Sequence, residues 1–291
     1  MLEQKIDFMV TVEVREANAN GDPLSVNMPR TDAKDYGLMS DVSIKRKIRN
    51  RMQDMGQPIF VQARDRVDDC IYSLKQRLEN KEFFDTVKEG SKKKKSVENF
   101  VKQINAEWLD VRSFGQVFAF DGYSAANVRG PVSISWAKSL EKVVTQSMQI
   151  TKSTNSELNS KTELESSTMG TKHFVDYGVY VIKGSINPNF AEKTGFSDAD
   201  AEIIKEVLVS LFENDASSAR PEGSMRVREV FWFTHSNKLG NVSSARVFDL
   251  LEFDKEKQDK DSYEDYAIHL NQEELAEYEA KGLQVEIIEG L

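Results

Sequence analysis

Four carboxylates, Asp22, Asp32, Asp35 and Asp41, crowd a Gly-, Asn- and Pro-rich loop that runs directly into five cations, Lys45, Arg46, Lys47, Arg49 and Arg51. Acids in such a loop can hold a divalent metal or position a nucleophile at a phosphodiester. Aspartate is also the ordinary residue of turns and caps, and that role is favoured here. The other groups able to do chemistry are dispersed. His173, His235 and His269 form no HExxH or HxH pattern and read as structural histidines. Cys70 has no nearby histidine and is expected in a helical core position. Walker A, GxGxxG and GxSxG motifs are absent. The cations are therefore the informative group, because Lys and Arg charge is the main recognition element for a polyphosphate backbone. A solvated helix face, with Asp41 and Asp54 as local partners, is the plainer alternative.

The element that must position them is legible. Ile44, Ile48, Met52 and Met55 recur at helical spacing, Ser40 or Asp41 can cap the first turn, and Lys45, Arg46 and Arg49 share one flank. Ahead of the loop, Ile6, Phe8, Val10, Val12 and Val14 alternate as in a half-buried strand. From about 56 to 110 the pattern is charged and helical, with stripes at Val67, Ile71, Leu74 and Leu78 and at Phe100, Val101, Ile104 and Trp108. Between them, Lys92, Lys93, Lys94 and Lys95 mark an exposed tip. Strand patterning returns in VRSFGQVFAF and in Val132, Ile134 and Trp136, which read as core. Residues 151–171 are nearly free of large apolar groups and read as an excursion between strands. Phe174–Ile186 supplies another strand, Ser197 with Asp200 opens a helix to about Asn214, and Arg226–Thr234 is a further strand. DKEKQDKDSYEDY is expected to be a solvated loop, followed by a helix capped by Asn271 and a last strand through Leu283, Val285 and Ile287. The order predicts an α+β fold, a ferredoxin-like, RRM-like βαββαβ core with long insertions.

Composition narrows the function classes. The chain has 291 residues, 39% of them hydrophobic, enough for a substantial core. Its net charge is −9, yet the segment from Leu251 onward holds 13 of the 48 acids and 4 of the 39 bases, so the first 250 residues balance. Acidity overall is thus no argument against anion binding by the rest. A single cysteine excludes an internal disulfide and a thiolate zinc cluster. No apolar run approaches the roughly 20 residues of a membrane span, and the start MLEQKIDF lacks the order of a signal peptide. The expectation is a cytoplasmic protein without membrane contact.

Set in order, the first strand, the NANGDP loop, SDVSIKRKIRNRM, VRSFGQVFAF, RGPVSISWAKSL and TMGTKHFVDYGVYVIKGSIN resemble a known family over about residues 6–235. The chain looks like the CRISPR-associated backbone subunit of type I interference (Cascade) complexes, closest to subtype I-C, within the repeat-associated RNA-binding superfamily. The resemblance implies a hand-shaped subunit. Its palm would comprise 1–55, 111–144 and 172–250, a finger insertion 56–110 and a thumb excursion 145–171, with the acidic segment 251–291 unassigned. It implies copies assembling head to tail along one CRISPR RNA and presenting it to target DNA. Large, small and guide-processing subunits would be partners, and a recruited helicase-nuclease would act on the complex. The guide-phosphate role carries over to Lys45, Arg46 and Arg49, and to Asn20 and Arg30. Met169 could lie against an unstacked base, with simple packing as the plainer role, and Lys172 joins the RNA-binding set. Lys92 to Lys95 could touch target DNA or merely solubilise the tip. Sequence readout would be left to base pairing, so no catalysis and no cofactor are expected. The rival is a type III-like subunit that cuts target RNA with a divalent metal held by Asp32. A monomeric RNA-processing endonuclease would need a histidine-based site that this sequence does not assemble.

Overall fold

A computed structural model of the chain describes residues 1–81, 94–119, 126–151 and 169–291. In chain order the strands are β1 (Ile6–Ala17), β2 (Gly21–Asp22), β3 (Met28–Pro29), β4 (Tyr36–Met39), β5 (Gly115–Phe118), β6 (Ala126–Arg129), β7 (Val132–Ile134), β8 (Ala137–Lys142), β9 (Thr145–Thr151), β10 (Met169–Ile186), β11 (Met225–His235), β12 (Leu251–Glu252), β13 (His269–Leu270) and β14 (Leu283–Glu289). The helices are α1 (Asp41–Asp54), α2 (Leu74–Glu79), α3 (Lys94–Glu107), α4 (Leu109–Phe114), α5 (Pro188–Thr194), α6 (Asp198–Val209), α7 (Ser244–Asp249) and α8 (Gln272–Ala280).

The β-branched run of β1 puts it at the centre of an antiparallel sheet in the order β14-β11-β1-β10-β8-β4, with β7 and β9 also paired to β10. Register is fixed by apolar facing pairs such as Ile6 with Ile186 and Val10 with Ile182. Strand β10 is long enough to hold β7 near Gly184, β8 near Tyr180 and, at its far end, β9 from Met169 to Val175. Helices α1 and α6 cover one face. Ile44, Ile48 and Met52 from α1 meet Ile204, Val207 and Leu208 from α6 over Phe8, Val10 and Val12. Both helices start as their sequences predict: Ser40 Oγ accepts the Ser43 amide at 3.2 Å, and Ser197 with Asp200 forms a reciprocal capping box.

The opposite face differs from expectation. β1 was expected to be half-buried, but Asp7, Met9, Thr11 and Glu13 are as enclosed as the residues between them. The cover is the C-terminal segment. Val247, Leu250, Leu270, Leu275 and Tyr278 pack on Met9, Val181, Phe231 and Phe233. The acidic stretch is a solvated loop over 255–259, but its end is not, since Tyr263 and Tyr266 are buried against Val179 and the Tyr263 hydroxyl lies 2.9 Å from Thr11 Oγ1 and donates to Glu229 at 2.5 Å. Apart from Lys260, which is buried against Glu141, the segment carries most of its charges on the outside of a structural layer whose aromatic residues face the sheet.

Four further expectations are corrected. The stripe Val67 to Leu78 is helical only over Leu74–Glu79, because Cys70 adopts a positive φ of 59° while Asp69 binds the Ile71 amide and the Arg77 guanidinium. Cys70 is accordingly exposed rather than core. In VRSFGQVFAF, residues up to Phe114 finish α4 and the strand begins only at Gly115, whose φ of 80° ends the helix and whose Cβ position lies against the Val128 carbonyl. Trp136 lies outside β7 and is 51% exposed. Among the described residues no helix is long and apolar enough to cross a membrane.

Candidate nucleic-acid interface

Where β1 ends, the backbone amide of Asn18 donates to the Ala219 carbonyl at 2.9 Å, pinning the loop 214–221 beside the loop that leads to α1. The turn within it is closed by paired Ser217 and Arg220 backbone bonds of 2.8 and 3.0 Å. Between this loop and α1 lies a cleft of about 690 Å³, whose wall includes Asn20, Ser43, Arg46, Lys47, Arg66 and Arg220. A shallower hollow of about 310 Å³ continues from Arg220 past Asn18 to Lys172 and His173 on β10. Together the two are lined by the cations Arg46, Lys47, Arg66, Lys172 and Arg220 against the carboxylates Asp65 and Asp215. Local charge is thus positive in an acidic chain, and the remaining wall mixes amide and hydroxyl groups with His173, Ile150 and small residues.

The cations differ in availability. Arg46 reaches Asp65 at 3.1 Å with both side chains substantially exposed, a weak surface pair that a phosphate can displace. Arg220 lies 3.7 Å from Asp215, its Nε is buried, and that Nε finds no hydrogen-bond partner among the described residues. Lys47 forms the floor. It is paired with Asp215, but burial dominates and lowers its ammonium from the usual value to about 8.

The sequence-predicted residues divide. Asn20 and Arg46 line the cleft and Lys172 lines its continuation. Asn20 is held there because its Oδ1 accepts the Ser40 amide at 2.9 Å. Lys45 turns back to Asp41 at 3.1 Å, and Arg30 pairs with Asp22 at 3.3 Å. Arg49 points elsewhere: its Nε donates to Asp110 at 2.9 Å, a fully buried carboxylate that also accepts the Phe60 and Val61 amides. Such a pair ties α1 to the segment after it and leaves the guanidinium little freedom for phosphate. Met169 stands on the β9–β10 ribbon, 61% exposed, with Met148 and Ile150 also open to solvent. Lys92 and Lys93 lie outside the described residues, as do the side chains of Lys94 and Lys95.

Asp32 is occupied. One carboxylate oxygen accepts the Lys34 and Tyr36 amides at 2.8 and 3.0 Å, and the other accepts Lys138 Nζ at 2.6 Å. The lysine hydrogen bond chiefly holds this carboxyl down to about 2. It closes a turn. His235 is structural as expected, since its Nδ1 accepts the Asn241 amide and its Nε2 faces buried Asp7 at 2.9 Å. Sequence reasoning passed over the 214–221 loop, and it named Lys47 among the cations of α1 without giving it a place in the site. The available signal was a run of small residues, DASSAR, holding a single arginine just after a capped helix.

Known proteins are similar to this chain over most of its length. A "CRISPR-associated protein Cas7" of Haloferax volcanii (strain ATCC 29605 / DS2) is 24% identical over 237 residues, 73% of this chain, and the chain covers 65% of that relative's length. A chain of a "CRISPR RNA-guided surveillance complex" superposes with a TM-score of 0.50 at 14% identity, covering 89% of this chain and 77% of its own. A chain of a "CRISPR RNA-guided surveillance complex, pre-nicking" gives 0.52 at 13%, covering 95% and 87%. At such identities these two speak to fold alone. The profile of the family described as CRISPR-associated protein Cas7 matches residues 4–271, nearly the whole chain, and the protein belongs to that family.

Proposed function

We propose that the chain is a non-catalytic backbone subunit that binds guide RNA through the cleft between α1 and the 214–221 loop. Further copies of the chain would assemble head to tail along the RNA and hold it for pairing with target DNA in an interference complex of type I character, closest to subtype I-C. The observation that carries this is the positive, donor-rich cleft within a chain of net charge −9. Its groups suit phosphate and ribose and offer no fixed pattern for base edges, as a subunit serving any guide requires. The palm would be RRM-like. Support comes from the strand order β11-β1-β10-β8, with α1 following β1 and α6 preceding β11 on the same face. The finger insertion 56–110 and the thumb 145–171 remain part of the proposal, as do Met169 as a base-contacting side chain and the large, small and guide-processing partners.

Arg46→Ala with Arg220→Ala should weaken binding of short RNAs of unrelated sequence to the same extent. If each arginine meets one phosphate, the slope of log affinity against log salt flattens by about 1.4, from roughly 0.7 per contact on a single strand. An unchanged slope would remove the cleft from the proposal.

A further inference from the structure

On the opposite face of the sheet, the C-terminal layer reaches Leu140 and Glu141 of β8, and a cleft of about 620 Å³ lies beside it, lined in part by Tyr36 of β4 and Lys138 of β8. Tyr36, Trp136, Phe248 and Phe253 line it, with Lys138 and Lys183 among them. Trp136 is the informative member. The chain has three tryptophans, and while Trp108 and Trp232 are 3% and 2% exposed, Trp136 is 51% exposed. The lysines already use ring faces: Lys138 Nζ stands 4.3 Å from the Tyr36 centroid and Lys183 Nζ 5.7 Å from that of Phe248. Lys34 also reaches the cleft, and neither Lys34 nor Lys183 has a carboxylate within ion-pair distance among the described residues. Asp249 is the only acid in the wall.

We infer that this cleft is a second nucleic-acid subsite, taking an unpaired base of a single strand against Trp136 while Lys183 and Lys34 meet the adjoining phosphates. Aromatic platforms flanked by cations bind single strands in a sequence-tolerant way, since every base has a π-face. An acidic or purely apolar protein segment fits less well, because the first would leave the rings unused and the second would bury the lysine charge. The subsite lies on the face away from α1 and is independent of the guide-RNA cleft.

The test uses the full chain carrying Arg46→Ala and Arg220→Ala, so that the first cleft is disabled. Titration with short oligothymidylate and oligouridylate should quench tryptophan emission saturably, and the tighter of the two identifies whether the strand is DNA or RNA. In the same background, Trp136→Leu should weaken binding of a labelled oligomer roughly fivefold or more, Trp136→Phe should restore most of it, and Lys183→Gln should weaken it less. Circular dichroism keeps the effect of these substitutions separate from misfolding. No quenching by either oligomer, or equal quenching by an abasic chain of the same length, would overturn the inference. So would a blue shift that grows with protein concentration alone, which would mean that a second copy covers Trp136.

Discussion

At the residue scale, neighbouring cations on one helix have been given different work by what lies opposite each. Arg46 faces the cleft, held by Asn50 and an exposed aspartate, whereas Arg49 faces a carboxylate with no solvent at all. Sequence spacing placed both on one flank and could not separate them, because Asp110 lies 61 positions further on. Arg49→Ala is therefore expected to act on stability. Removing one partner of a buried pair leaves Asp110 uncompensated, at a cost of about 3–5 kcal/mol, although the Phe60 and Val61 amides relieve some of it. Urea denaturation should show a large shift in midpoint, and the fraction that remains folded should bind RNA with an unchanged salt slope. A flattened slope with unchanged stability would mean that Arg49 is a phosphate contact after all.

At the scale of elements, the parts read correctly from sequence are those whose own pattern sufficed. These are α1 with its Ser40 cap, the start of α6 with its capping box although the helix ends at Val209 and not near Asn214, β11, β10 from Phe174 onward although it begins at Met169, and the final helix and strand behind Asn271. Errors fall where a distant segment decides burial. Nothing within β1 announces that Met9 and Thr11 are covered, because the covering residues come more than 230 positions later and are interspersed with acids. The acidic composition of 251–291 hid a layer built on Tyr263, Tyr266, Leu275 and Tyr278. That layer should be indispensable to the fold. Leu275→Ala, at a position 7% exposed, should lower unfolding free energy by about 2–4 kcal/mol without altering RNA affinity below the transition. A loss of less than half a kilocalorie by chemical denaturation would show the segment to be an appendage.

For the molecule as a whole, one sheet separates two environments. Helices α1 and α6 and the cation-lined cleft belong to one side, and the C-terminal layer with its surplus of acids belongs to the other. The α+β fold class and the cationic helix that walls the proposed cleft were legible, since a cationic helix in an acidic chain is a local signal. Arg220 was not, because its value depends on the Asn18 to Ala219 bond that brings the 214–221 loop to α1. A backbone subunit must also bind RNA by length and not by sequence. Native mass spectrometry of the chain with RNAs of increasing length and unrelated sequence tests this most directly. Bound copies should rise in regular steps with length, alike for every sequence, with the RNA left intact in magnesium. Arg46→Ala with Arg220→Ala should abolish the steps. A single bound copy at all lengths, or steps confined to one sequence, would contradict the account, and regular cleavage of a complementary RNA would replace it with a nuclease.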